Sequence, residues 1–161
     1  MMNLQKPTIP RNVGISLSTN MTENIPESKL LKDASLKLVN EYIYPNGSIY
    51  RGQMRGDVRE GYGIQVWTDG AKYEGYWKDN MASGKGTFWH AEGDVYEGEF
   101  REDKANGLGV YTHVNGSRYE GQWKDDKQNG HGTEVWNDGA HYVGNYKDGK
   151  KHGFGNYQWA D

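Results

Sequence analysis

The chain has 161 residues, with 19 Lys and Arg against 22 Asp and Glu, a net charge of −3, and no Cys. That length suits one domain plus a tail, the missing Cys excludes a disulfide framework, a thiolate metal site and a cysteine nucleophile, and the charge lacks the basic footprint of a nucleic-acid binder. Mean hydropathy is −1.01, no apolar run approaches the ~18 residues of a membrane-crossing helix, and the start MMNLQKPTIP has neither a secretion-signal pattern nor a Gly at position 2 to acylate. A soluble cytoplasmic location is the expectation.

All four Pro (Pro7, Pro10, Pro26, Pro45) lie in the first 49 residues, whereas all six Trp and all three Phe lie after them. Residues 1–40 therefore read as an extended, mostly irregular arm. Within it, Leu30, Leu31, Ala34 and Leu38 fall on one helical stripe behind Pro26 and Glu27, so a short helix over 27–39 is expected; a strand through Leu36 and Leu38 is the alternative.

From residue 41 onward the chain is a repeat. Gly totals 23 residues, about double the usual ~7%, and nearly all fall in register. Tyr50, Tyr73, Tyr96, Tyr119 and Tyr142 stand 23 residues apart. Gly52, Gly75, Gly98, Gly121 and Gly144 follow two residues behind. Gly61, Gly84, Gly107, Gly130 and Gly153 form a second column, and Gly63, Gly86, Gly109, Gly132 and Gly155 a third. Met54, Trp77, Phe100, Trp123 and Tyr146 are always large and apolar, and Trp67, His90, His113, Trp136 and Trp159 are always rings.

Within the unit 73–95, Tyr73, Gly75 and Trp77 alternate with Glu74, Tyr76 and Lys78, the period of a half-exposed strand. A polar loop is expected at 79–83, a second strand at 84–90, and a type I′ turn at each Asp-Gly, Glu-Gly or Asn-Gly pair that closes a unit (Asp69-Gly70, Glu92-Gly93, Asn115-Gly116, Asp138-Gly139). Each unit is then a β-hairpin and the whole an all-β, elongated, single-layer antiparallel meander. About ten strands at ~4.8 Å spacing would give a rod of roughly 50 Å. Fifteen strand glycines in register imply that large rings lie across bare main chain, with Tyr73 and Trp77 over the region of Gly84 and Gly86.

The pattern Y-x-G-x-[aromatic], then G-x-G, then [D/N]-G at this spacing resembles the MORN repeat. The likeness covers 41–161: a half unit at 42–49 and units 50–72, 73–95, 96–118, 119–141 and 142–161. Met54 in place of an aromatic, and Val143 where Glu is commoner, are small departures. The resemblance implies hairpin repeats that are themselves non-catalytic. It also implies a structural scaffold and protein-interaction module of a cytoskeletal assembly, with the ciliary axoneme and its radial spokes as the expected setting. Membrane or phosphoinositide tethering, or the regulatory repeat region of a larger enzyme such as a phosphatidylinositol phosphate kinase, are the alternatives.

No enzyme signature survives inspection. The G-x-G pairs lack the third glycine of a dinucleotide fingerprint, and no helix N-terminus follows to hold phosphate. Residues one repeat apart, such as His90 and His113, lie two strands or about 9.6 Å apart, too far to share a zinc ion. No cofactor or metal is expected. The expected partner-binding groove is the file of rings: Tyr50, Tyr73, Trp77, Tyr96, Phe100, Tyr119, Trp123, Tyr142 and Tyr146, with Trp67, Trp136 and Trp159 beside it. A small basic spot, Lys147, Lys150 and Lys151, is the candidate for lipid or an acidic partner. Units 73–95, 96–118 and 119–141 carry net charges of −2, −1 and −3, which disfavours an anionic membrane. The last strand, 154–159, is uncapped, so homodimerisation through that edge, or further chain, is expected, and the arm is expected to drape over a neighbour.

Overall fold

A computed structural model describes residues 25–161. Eleven strands form one antiparallel sheet in strict sequence order. They are β1 (Lys37–Ile43), β2 (Ile49–Arg55), β3 (Val58–Val66), β4 (Lys72–Lys78), β5 (Met81–Trp89), β6 (Val95–Arg101), β7 (Lys104–Thr112), β8 (Arg118–Lys124), β9 (Lys127–Val135), β10 (His141–Lys147) and β11 (Lys150–Gln158). The single-layer meander expected from the 23-residue period is the observed architecture.

The register explains the glycines. Gly52 faces Gly63, which faces Gly75, and the pairing continues through Gly86, Gly98, Gly109, Gly121, Gly132, Gly144 and Gly155. These ten residues form an unbroken track of bare backbone from β2 to β11. On one side of the track lie the tyrosines. A Cβ added at Gly86 would meet the ring and hydroxyl of Tyr73, and one at Gly109 those of Tyr96. Ring cover on bare main chain is therefore real, but it belongs to this track alone.

Gly61, Gly84, Gly107, Gly130 and Gly153 have a different reason. The register slips beside each of them: Gly75 pairs with Gly86 but Trp77 pairs with Ala82, leaving two extra residues on β5. Gly84 stands there with φ +93° and only the Tyr76 Cβ nearby, at 3.5 Å. It is a bulge glycine, required for its left-handed backbone rather than for a covering ring.

The turns also exchange roles with the expectation. The expected loop at 79–83 shrinks to two residues, Asp79 (φ 50°) and Asn80 (φ 70°), both left-handed as a type I′ hairpin demands. Glu102-Asp103 and Asp125-Asp126 repeat this geometry. The Asp-Gly and Asn-Gly pairs sit instead in three-residue loops in which the glycine alone is left-handed. Gly70 donates its N–H to the Trp67 carbonyl at 3.0 Å, while Trp67 donates to Ala71 at 2.9 Å. This is a type I turn followed by a bulged glycine. The Asp69 carboxylate accepts the Ala71 N–H at 3.0 Å, and Asn115 treats Ser117 alike at 2.9 Å, the local capping for which Asp and Asn suit turns.

The expected helix over 27–39 is absent. A single 3₁₀ turn spans Glu27–Lys29, flanked by extended Pro26 and Leu30, and β1 begins at Lys37, before the expected boundary at 40. Leu31 and Leu38 remain exposed, so the apparent stripe had no surface to pack on, and the backbone bonds with the sheet instead. The expected arm residues 1–24 lie outside the described residues.

Candidate interaction surface

The file of rings is a core. Tyr50, Tyr73 and Tyr96 are 0% exposed, and Trp67, Trp77, Phe100, Tyr119, Trp123, Tyr142 and Tyr146 are also buried. The tyrosine and second-column rings alternate in one edge-to-face herringbone. Tyr50 meets Trp77 at 5.6 Å, Trp77 meets Tyr73 at 4.9 Å, Tyr73 meets Phe100 at 5.1 Å, and Phe100 meets Tyr96 at 5.0 Å. The chain of contacts continues through Trp123, Tyr119 and Tyr146 to Tyr142. Each such contact contributes about 0.5–1.5 kcal/mol beyond area burial.

The ring polar atoms along this row are anchored to main chain, except that the Tyr146 hydroxyl donates to the Glu134 carboxylate at 2.9 Å. The Tyr50, Tyr73, Tyr96 and Tyr119 hydroxyls donate to the carbonyls of Gln53, Tyr76, Glu99 and Gln122 at 2.7 to 2.8 Å, and Tyr142 donates to Asn145 at 3.1 Å. Those carbonyls sit where the register slips. The Trp77 and Trp123 indole N–H groups donate to Gly63 and Gly109 on the glycine track, both at 3.1 Å. Burial pushes the phenols up, Tyr119 to about 12 and Tyr73 well beyond its ordinary value.

These residues therefore cannot form the partner groove expected of them; only Trp136, half-buried, and Trp159, 77% exposed, present a ring to solvent. A second row lies beside the first and joins the ring column of Trp67, His90 and His113 to Phe88 and Tyr111, which the sequence columns did not single out. Phe88 is fully buried and contacts Trp67 and His90, and Tyr111 contacts His90 and His113. Asp94 joins it, accepting from the Tyr111 hydroxyl at 2.7 Å and the Val114 N–H at 2.9 Å. Burial pushes the Asp94 carboxyl up, but Tyr111, Val114 and His113 together hold it below the usual carboxylate value.

At the first unit the ring face becomes polar. Arg59 takes the place held by Ala82 and Ala105 in the next two units. Its guanidinium lies 4.3 Å from the Trp77 ring and donates to Gln65 at 3.0 Å and to the Asn80 carbonyl at 2.9 Å. Burial lowers its pKa. The basic spot divides similarly: Lys147 and Lys150 pair across the last hairpin, whereas Lys151 lies 4.9 Å from the Trp136 ring and 5.3 Å from Tyr142. Among the described residues no group of three or more His, Asp or Glu is placed to hold a metal ion.

The opposite face is open, and its first repeat is already occupied. Leu31 donates its N–H to Gln53 Oε1 at 2.9 Å and accepts from Gln53 Nε2 at 2.8 Å, while the Tyr76 hydroxyl donates to the Lys29 carbonyl at 3.0 Å. The described part of the arm thus lies against its own sheet. Beyond it a cavity of about 560 Å³ is floored by the back of the glycine track at Gly75, Gly86 and Gly98. A second, of about 440 Å³, adjoins it at Glu99 and Leu108 and reaches Gln122. Sequence reasoning had no signal for Gln53 or Tyr76, because their column varies in residue type.

A single-layer sheet whose aromatic chemistry is sealed inside and whose other face is open is the architecture of an interaction repeat. The family model for the MORN repeat matches residues 50–72, 73–95, 96–118, 119–141 and 142–161, and the chain belongs to the MORN-repeat family. MORN repeats form interaction scaffolds, and the module is generally non-catalytic. No curated protein matches the chain. Among solved structures it is similar to the SAS-4 (dCPAP) TCP domain of Drosophila melanogaster, solved in complex with a proline rich motif of Ana2 (dSTIL). The identity is 13% and the TM-score 0.49, over 88% of this chain and 83% of that one.

Proposed function

We propose that this protein is a non-catalytic structural scaffold of a cytoskeletal assembly, which holds partner segments on the face of its sheet opposite the rings. The observation that carries the reading is the sealed herringbone on the glycine track. It stiffens one face with paired ring contacts and leaves the other face as bare backbone bordered by polar side chains. A rigid platform loses little conformational freedom when a partner docks. The ciliary axoneme is the proposed setting, and the support for it is the resemblance to cytoskeletal MORN scaffolds.

The test is chemical cross-linking in ciliated cells followed by detergent extraction. The expected outcome is retention in the axonemal pellet with cross-links concentrated on the face of Gln53, Tyr76 and Gln122. Complete release with the soluble fraction would overturn the cytoskeletal assignment.

A further inference from the structure

The arm shows how this face reads a polypeptide. Gln53 uses both ends of its amide on Leu31, and its Oε1 also accepts the Tyr62 N–H at 2.9 Å, a group freed by the bulge. The same position recurs three repeats later. Gln122 Oε1 accepts the His131 N–H at 2.7 Å, while its amide nitrogen faces solvent with no partner among the described residues. Beneath the arm, Tyr62 is only 7% exposed, whereas Leu108, one column member away from His131, is 60% exposed. Glu97 and Glu99 border Leu108 and Val110 in the first cavity, with Lys85 opposite Glu99 in the register, and the other end of the cavity is lined by the arm's own Lys29.

We propose that the groove from Glu97 to Gln122 binds an extended segment of a partner protein that bears an aliphatic residue beside a lysine. The aliphatic side chain covers Leu108 and Val110, the lysine faces Glu97 and Glu99, and a backbone carbonyl accepts from Gln122 Nε2 as Leu31 accepts from Gln53. The path is continuous with the arm. It is also commensurate: one repeat advances about 9.6 Å, and three residues of extended chain cover about 10 Å. The arm's own sequence, with Lys29 and Lys32 around Leu30 and Leu31, has the required chemistry.

This inference rests on the scaffold reading and can fail without it. The probe is a fluorescent peptide with the sequence of residues 26–32, titrated against the full chain by anisotropy. Saturable binding is expected, weakened about tenfold or more by Leu108→Asp and several-fold by Gln122→Ala, and unchanged by Gln53→Ala. Leu108 is exposed, so its replacement should leave the melting temperature intact, whereas Gln122→Ala also hands the exposed His131 N–H to water and should lower it slightly. Reduced deuterium uptake in β6 to β8 on binding gives a readout that needs no variant. Absence of saturable binding overturns the groove, as does binding indifferent to Leu108→Asp and Gln122→Ala. Loss in Gln53→Ala alone would show that the peptide merely displaces the arm, and also overturns it. Cross-linked partners that persist in Leu108→Asp would remove the groove while leaving the scaffold in place.

Discussion

At the scale of single residues, the protein depends on positions where a side chain is missing. Gly109 pairs with Gly98 on one side and Gly121 on the other, and a Cβ there would collide with the Tyr96 ring, itself fixed by its hydroxyl bond to Glu99. Neither neighbour can yield without breaking that bond. Gly109→Val is expected to destabilise by at least the ~1–3 kcal/mol typical of overpacking. Gly116→Ala is the control. Its Cβ would meet nothing within 4 Å, so only the strain of a left-handed alanine applies, about 1 kcal/mol. Urea unfolding of the two variants checks the order; equal losses would mean that ring cover is not the reason for the track.

At the scale of the hairpin, each unit is held by two unlike turns, and their tips are laced to the preceding unit. Asp103 donates its N–H to the Ala82 carbonyl and accepts the Ala82 N–H on its carboxylate, at 3.1 and 2.7 Å, and Asp126 does the same for Ala105 at 3.0 and 2.7 Å. Glu102, which shares the left-handed geometry of its tip with Asp103, makes no such bond. Glu102 is held at φ 50°, a region that costs a non-glycine residue roughly 1–2 kcal/mol. Glu102→Asn, which tolerates that conformation better, is expected to raise the melting temperature by a few degrees, whereas Asp103→Ala should lower it by leaving the Ala82 N–H unpaired. Strand existence, pairing order and the ring-on-glycine contact were legible in the sequence, because each follows from a strict 23-residue period. The turn types were not. A dipeptide such as Asp69-Gly70 suits both a two-residue turn and a bulged three-residue one, so its identity does not choose between them. The fate of the rings was also hidden: periodicity places Tyr73 and Trp77 on one face but cannot say whether they cover each other or wait for a partner. The site at Gln53 and Tyr76 was invisible for a third reason. Its residues vary from unit to unit, and its occupant comes from a segment outside the repeat.

At the scale of the whole molecule, each strand touches chiefly its neighbours in sequence, so stability is a sum of unit and interface terms, and the herringbone ties those terms together. Its phenols provide the readout. A folded pKa raised above the unfolded value near 10 means stability that is fully present below pH ~10 and lost as pH rises through the folded value. Tyr119 is pushed to about 12 and its buried neighbours further. An absorbance titration at alkaline pH is expected to show a shallow step from exposed tyrosines and then a steep one that coincides with loss of the β-sheet circular dichroism. A single gradual titration with the sheet intact would contradict the sealed row. The track of facing glycines has one more consequence. Every unit begins and ends on the same pair of bare positions, so a duplicated unit would splice in without disturbing any existing joint and would move everything beyond it by about 9.6 Å. A molecule built this way is a ruler, and its graduations can be added one at a time.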